Sequence, residues 1–299
     1  MRNLLVTGAT GVIGRRLVPL LVEAGNRVHA VTRSPVNAKA VTEAGAIATT
    51  LDLFNADRVA AAVAGRDAVI HLATSIPTGV SIMRRSAWRA NDRLRRHASS
   101  ILATAVIEAG VTTYVGESTT FPYVGAGSTW VDETHARSYH AGSQSCVDSE
   151  SASQRVTDAG LTGINLRFAM FHDEDSSHIH SFLDIAEWGF SPFVGHATAY
   201  QSFINTRDAA RAVVAALDAK PGIYNVAEPT PSTKGEHTAE LARLLGRNKL
   251  RPVPRFLEKV GGAAAEEMSR SQRISSKKLQ EASDWEPRVD VIDRWRDIT

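Results

Sequence analysis

The sequence predicts a doubly wound α/β fold, a parallel sheet with helices on both faces, carrying a smaller C-terminal lobe. Two observations lead there. First, the apolar run Leu4-Leu5-Val6 meets the glycine turn Gly8-Ala9-Thr10-Gly11-Val12-Ile13-Gly14. An amphipathic stretch follows directly, with Ile13, Leu17, Leu20, Leu21 and Ala24 on one helical face. Second, four helical stretches close alike, at Glu23-Ala24-Gly25, Glu43-Ala44-Gly45, Glu108-Ala109-Gly110 and Asp158-Ala159-Gly160, where glycine accepts the left-handed cap conformation. Each is followed within a few residues by a strand-like segment, and this alternation is that of right-handed βαβ crossovers.

Taken in order, the expected strands are Leu4–Val6, Arg27–Val31, Ala46–Thr50, Ala68–Leu72, Thr113–Val115 and Gly163–Arg167. Pro19 falls inside the first helix, removes one backbone bond and predicts a kink or a helix held by packing. The stretch Trp88–Ala109 reads as the longest helix, with Leu94, Ala98, Ile101, Leu102, Ala105 and Ala109 as its apolar stripe. Arg85, Arg89, Arg93 and Arg96 form a second, basic stripe, read as a solvated face rather than an anion site. Beyond Arg167 the alternation weakens. Phe168–Asn205 is rich in histidine and aromatic residues, Thr206–Leu217 reads as a helix, Ile223–Val226 as a strand and Pro229–Pro231 as a turn. Lys234–Thr299 reads as helices and loops interrupted by Pro252, Pro254 and Pro287. The division expected is a dinucleotide-binding domain over 1–167, with 206–226 returning to its sheet, and a substrate lobe made of 168–205 and 227–299. No internal repeat or low-complexity segment stands out.

Composition narrows the function classes. With 34 Lys+Arg against 32 Asp+Glu, the formal charge of +2 over 299 residues makes no case for nucleic acid. The single cysteine, Cys146, excludes an internal disulfide framework and a cysteine-rich metal site. No apolar run reaches membrane-spanning length, and Met1-Arg2-Asn3 leads straight into the first strand, so a cytoplasmic protein without a signal peptide is expected. His178 and His180 have no further ligands at fitting spacing, so no metal is expected.

The glycine turn carries the chemistry. A strand that turns at once into a helix points bare N–H groups and the positive helix end at one spot, which suits a pyrophosphate. Gly8 permits the tight turn, Gly11 lets phosphates approach the backbone, and Gly14 lets helix pack on strand; Thr10, Val12 and Ile13 complete the cradle. At the end of the second strand, Ala30-Val31-Thr32-Arg33-Ser34 has no acid to bond a ribose 2′-hydroxyl. Arg33 has the fork suited to a 2′-phosphate, so NADP(H) is favoured over NAD, the alternative being an Arg33 exposed on a loop.

Over nearly its whole length the chain resembles the extended, atypical short-chain dehydrogenases/reductases of the NAD(P)-dependent epimerase/dehydratase-like type, which have a Rossmann fold. Thr7–Gly14 matches the glycine motif of that family. Asp52-Leu53 stands where the family sets an Asp against the adenine, and His71-Leu72-Ala73-Thr74 resembles its segment beside the cofactor. Phe203–Asp208 and Tyr224-Asn225-Val226 resemble its later landmarks. The resemblance implies a small-molecule substrate and a monomer or homodimer, although the Ser-rich, apolar-poor stretch from Ser143 is a poor dimer helix.

The pattern breaks at the acid–base residues. The family uses a Ser/Thr, a Tyr and a Lys four residues after it: the Tyr moves a proton to or from the substrate oxygen, and the Lys lowers its pKa and holds the ribose. Counting back from Tyr123 puts Thr119 at the hydroxyl position. Using Glu150 as the helix marker puts Gly142 at the Tyr and Cys146 at the Lys. Using Tyr139 instead puts Ser143 at the Lys, and no lysine occurs between Lys39 and Lys220. Replacement acid–base groups are sought in Thr119, Tyr139 and His140, with Glu117 and Tyr123 flanking the hydroxyl and His172 and Asp173 following the sixth strand; Cys146 reads as a small buried residue. Three readings stay open. One is an enzyme performing a reduction, or a non-redox isomerisation, dehydration or cyclisation, on a carbonyl or hydroxylated metabolite. The others are a silent NAD(P)-sensing protein and a scaffold. The enzyme leads because the lobe keeps a pocket-like set: Phe168, Phe171, His172, His178, His180, Phe182, Trp188, Phe193, His196 and Tyr200. The competing reading of that set is an aromatic core with exposed histidines.

Overall fold

A computed structural model describes residues 1–77, 81–82, 84–140, 142–252 and 262–298; Pro254 and Thr299 lie outside the described residues. The strands are β1 (Asn3–Thr7), β2 (Arg27–Thr32), β3 (Ile47–Thr50), β4 (Ala68–His71), β5 (Thr113–Thr119), β6 (Trp130–Val131), β7 (Thr162–Phe168), β8 (Met170–His172), β9 (Tyr200–Gln201), β10 (Phe203–Asn205), β11 (Gly222–Val226), β12 (Ser232–Thr233) and β13 (Arg273–Ile274). Seven of them form one parallel sheet in the order β11-β7-β5-β4-β1-β2-β3. Leu4, Leu5 and Val6 at its centre are wholly buried, as a strand covered on both faces requires. The chain runs outward from β1 through β2 to β3, then returns to place β4 on the other side of β1. Ligands of such sheets sit at this switch point, beyond the carboxyl ends of the strands.

The helices wind as the glycine endings predict. Helix α1 (Gly14–Glu23), α2 (Pro35–Glu43) and α3 (Ala56–Val63) cover the first half of the sheet. Ser34 caps α2, its Oγ accepting from the Asn37 N–H at 3.3 Å with Pro35 in the first turn, and Asn55 caps α3 in the same way at 3.0 Å. Helix α1 runs unbroken through Pro19; burial of Leu17, Val18 and Leu21 in the core offsets the missing bond.

The expected long helix changes pitch along its length. A 3₁₀ turn, Arg85–Trp88, leads into α4 (Arg89–Arg93), a π-helical segment Leu94–Ala98, and α5 (Ser99–Ala109), which closes at Gly110 with φ 65°. Ala98, Leu102 and Ala105 of the predicted stripe are buried, whereas Ala109 is exposed. Arg85, Arg89, Arg93 and Arg96 are exposed, Arg93 lying over the Phe54 ring and Arg96 pairing with Asp148. The π turn carries Arg95 inward, away from that stripe.

Helix α6 (Ser145–Asp158) explains its own lack of apolar residues. Much of its buried face is polar and bonded: Ser149 Oγ donates to the Glu117 carbonyl at 2.6 Å, Ser153 Oγ to the Ile164 carbonyl at 3.0 Å, and Glu150 grips Arg167 of β7 at 2.8 Å.

Helices α7 (Ser177–Glu187), α8 (Thr206–Ala216) and α9 (Lys234–Leu244) follow, and later helical segments span Gly262–Ser269, Lys277–Ala282 and, as 3₁₀, Val291–Ile298. Strand pairs β8–β10, β9–β12 and β6–β13 lie outside the main sheet. A separate apolar core joins Phe182, Phe193, Phe203, Leu241, Val291 and Trp295. Among the described residues, no helix is long and apolar enough to cross a membrane.

Candidate functional site

The register of β1 and β4 sets Thr7 beside His71, with Thr7 Oγ1 2.6 Å from His71 Nδ1. Burial pushes the His71 imidazole down to about 4, so it serves as a neutral spacer at the switch point. The turn that follows cannot carry a side chain at Gly8 or Gly14. A Cβ on Gly8 would lie 2.5 Å from the Leu72 carbonyl, and one on Gly14 would lie 2.1 Å from the Gly8 carbonyl oxygen. Gly11 differs, because a Cβ there would meet only the Gly8 carbonyl oxygen, at 3.2 Å, and otherwise open space. That open space above the first-turn N–H groups of α1 is the room a diphosphate needs. The residues present therefore fit a dinucleotide.

One cavity of about 500 Å³ brings the expected cofactor residues together: Gly8, Thr10, Gly11, Val12, Ile13 and Gly14 of the turn, Arg33 after β2, Asp52 and Leu53 after β3, and Leu72, Ala73 and Thr74 after β4. Asp52 Oδ1 accepts the Phe54 N–H at 3.0 Å, which braces this loop. Asn37 of α2 also lines the cavity beside Arg33, a residue sequence reasoning missed.

The same cavity continues past Ser75 to Glu117, Thr119, Phe121, His140 and Glu267. Glu117 is clamped by Arg95, Nε to Oε1 at 2.8 Å and Nη2 to Oε2 at 2.9 Å, with both side chains buried. Arg95 Nη1 also lies 3.2 Å from Cys146 Sγ, and Thr119 Oγ1 lies 3.6 Å from that sulfur. Burial pushes the Cys146 thiol up despite the guanidinium, and nothing here activates it as a nucleophile.

His140 meets Glu267, which sequence reasoning did not single out because its run Ala265-Glu266-Glu267 looks like an ordinary helix face. Nε2 of His140 lies 2.6 Å from Glu267 Oε2, and Glu267 Oε1 accepts from Ser143 Oγ at 2.8 Å. The Gly142 N–H donates to His140 Nδ1 at 2.7 Å, so the ring proton belongs on Nε2, facing the carboxylate. A Cβ on Gly142 would lie 2.7 Å from His140 Cε1 and 2.8 Å from Trp88 Cε2. Those two rings fill the space that a side chain at position 142 would enter.

Other sought-for groups lie elsewhere. Tyr139 is half-buried beside Arg137 and does not line the cavity; burial, then Glu150, pushes its phenol up. The Tyr123 hydroxyl donates to Asn225 Oδ1 at 2.9 Å and accepts from Arg167 at 2.6 Å, away from the cavity. His172 is buried in the aromatic core, 4.7 Å from the Trp295 ring centroid, and burial pushes it down to about 3. Asp173 is tied to Arg16 and Thr206, and Asp175 to Arg15 and Arg16. The expected pocket set divides. Phe168, Phe171 and His178 line the cavity, Phe182 and Phe193 join the apolar core, and His180, Trp188 and His196 are exposed. Tyr200 is half-buried outside the cavity.

Comparisons with known proteins agree with this frame. Residues 4–227 match the NAD dependent epimerase/dehydratase family. An epimerase family protein of Mycobacterium leprae is 26% identical over 261 residues, covering 84% of this chain and 80% of its own. A 3-diazoavenalumate denitrifying reductase of a Streptomyces species is 25% identical, covering 99% of this chain and 98% of its own. A human epimerase family protein solved with NADPH superposes with a TM-score of 0.78 at 20% identity, covering 99% of this chain and 98% of its own. The UDP-N-acetylglucosamine 4-epimerase of Bacillus cereus superposes at 0.75 and 21%, covering 100% and 95%. At such identities the superpositions speak for the fold. The chain belongs to the NAD-dependent epimerase/dehydratase family and is an NAD(P)-dependent enzyme of oxidoreductase or epimerase type.

Proposed function

We propose that this protein is an NADP(H)-dependent enzyme acting on a carbonyl or hydroxyl centre of a small molecule, with the His140–Glu267 pair handling the proton in place of the missing Tyr and Lys. The observation that carries this reading is the single cavity running from the glycine turn to Thr119, His140 and Glu267. Backbone N–H groups at the start of α1 hold the diphosphate, and Arg33 with Asn37 takes the 2′-phosphate. The dinucleotide, when bound, supplies or accepts hydride at the substrate carbon. Thr119 Oγ1 orients the substrate oxygen. The Glu267 carboxyl gives a proton to that oxygen in reduction or takes one from it in oxidation and exchanges it with solvent. The neutral His140 ring, its Nε2–H turned to Glu267 and its Nδ1 accepting from the Gly142 N–H, and Ser143 hold the carboxyl in place. The same groups serve an isomerisation, dehydration or cyclisation if the dinucleotide plays no net redox part.

The test is NADPH oxidation by the full chain against carbonyl compounds, followed by nicotinamide absorbance. His140→Phe and Glu267→Gln should each lower kcat about 100- to 10,000-fold while NADPH binding holds. Arg33→Ala should weaken NADPH, and not NADH, by about tenfold or more. Turnover unchanged in both pair variants removes the pair from the chemistry.

A second reading, a protein that senses NADP(H) without turnover, is favoured by one detail. Both ring nitrogens of His140 are already bonded within the protein. Tight NADPH binding with no consumption on any carbonyl would support it.

A further inference from the structure

We infer that the substrate seated beside His140 is an uncharged, flat, apolar carbonyl compound, aromatic or conjugated, and not a nucleotide sugar. This rests on the catalytic reading above and names the substrate class of the same site.

Beyond Ser75 one side of the cavity wall is apolar and aromatic, made by Ile82, Trp88, Phe121, Met170, Phe171 and Met268. The Trp88 indole N–H is already engaged with the Ile82 carbonyl at 2.9 Å, so the ring presents apolar surface. The two Met side chains are flexible and polarisable and adapt to a flat ring.

Charge points the same way. Among the described residues lining the cavity, Arg33 is the sole Lys or Arg, and it follows β2 at the dinucleotide's ribose end. At the substrate end stand two carboxylates, Glu117 and Glu267. Glu117 is balanced by Arg95, whose donors are turned to Glu117 and Cys146. Glu267 has His140, Ser143 and, at 3.9 Å, Arg270. His178 adds no cation: its Nε2 lies 2.5 Å from the Phe171 carbonyl, and burial lowers its pKa. Among the described residues lining this end, a second diphosphate would be buried against carboxylates with no Lys or Arg of the lining to pair with, a costly arrangement. An aromatic carbonyl needs only the apolar wall and one hydrogen bond to its oxygen.

The test uses the full chain loaded with NADP+, with calorimetric titration of 2-naphthaldehyde, cinnamaldehyde and UDP-glucose. Both aldehydes should bind, and UDP-glucose should bind at least about 100-fold more weakly. Phe121→Ala should weaken the aldehydes by about tenfold with NADP+ affinity held, the loss expected for an aromatic contact. UDP-glucose binding as tight as the aldehydes, no aldehyde binding up to the solubility limit, or aldehyde binding untouched by Phe121→Ala each overturns the inference. The catalytic reading fails separately. Aldehydes that bind but are not reduced by the NADPH-loaded chain sink that reading and leave the substrate class standing.

Discussion

Arg95 reaches Cys146 Sγ at 3.2 Å while its other nitrogens clamp Glu117, so a guanidinium stands at the tip of the residue where one of the two alignments with the family sets an ammonium. The cation comes from the π-helical segment of a neighbouring helix rather than from α6. It is committed to a carboxylate that faces the cavity floor.

That commitment has a stability consequence. Arg95→Met leaves the buried Glu117 without its partner and should cost about 3–5 kcal/mol. Adding Glu117→Leu removes the stranded charge and should recover most of the loss. Urea unfolding midpoints of the two variants check this. A double variant no more stable than the single one would contradict it.

The glycines of the turn should separate binding from folding. Gly14→Ala drives a Cβ into the Gly8 carbonyl and should destabilise the chain by about 1–3 kcal/mol or more, with NADPH binding lost. Gly11→Ala meets a single tight contact and should cost less stability, yet weaken NADPH by about tenfold or more by filling the cradle. Thermal unfolding and NADPH titration measured together decide it; equal stability losses in the two variants would contradict the assignment.

Acid should unfold this protein early. Burial pushes His71 and His237 down to about 4 and His172 to about 3, against 6.5 for the free side chain. Below pH 6.5 the unfolded chain therefore takes up protons that the folded chain refuses. Each histidine removes about 1.4 kcal/mol per pH unit as the pH falls toward its folded value. Glu228 acts in the opposite sense. Burial raises it from 4.5 to about 8, so the folded state holds its proton more tightly and stability declines as the pH rises between those values. Burial also lowers His29 and His178 and raises Glu133, so with five histidines against two carboxyls the acid limb should be the steeper. Urea midpoints across this range test it. His172→Phe, which keeps the ring contacts to Trp295 and Phe203, should flatten the acid limb.

Much of the frame was legible in the chain. The apolar run before Gly8 and the glycine endings at Gly25, Gly45, Gly110 and Gly160 mark the βαβ rhythm, because these signals are local and steric. The dinucleotide side was legible for the same reason: a strand, a glycine turn and a helix make a phosphate cradle within one short stretch. The proton-handling side was less so. Counting named Thr119, and the place before the lost Tyr named Tyr139 and His140; Thr119 and His140 line the cavity, while Tyr139 lies outside it.

The sequence by itself determined the parallel sheet, its helical cover, the glycine turn and the lack of any lysine between Lys39 and Lys220, since each is written in neighbours along the chain. Only the tertiary structure decided that Glu267 meets His140, that Arg95 turns inward to Glu117 and Cys146, and that His172 is core. Those pairings join residues far apart in the chain. What brings them together is the burial of apolar surface elsewhere, and no local periodicity records it.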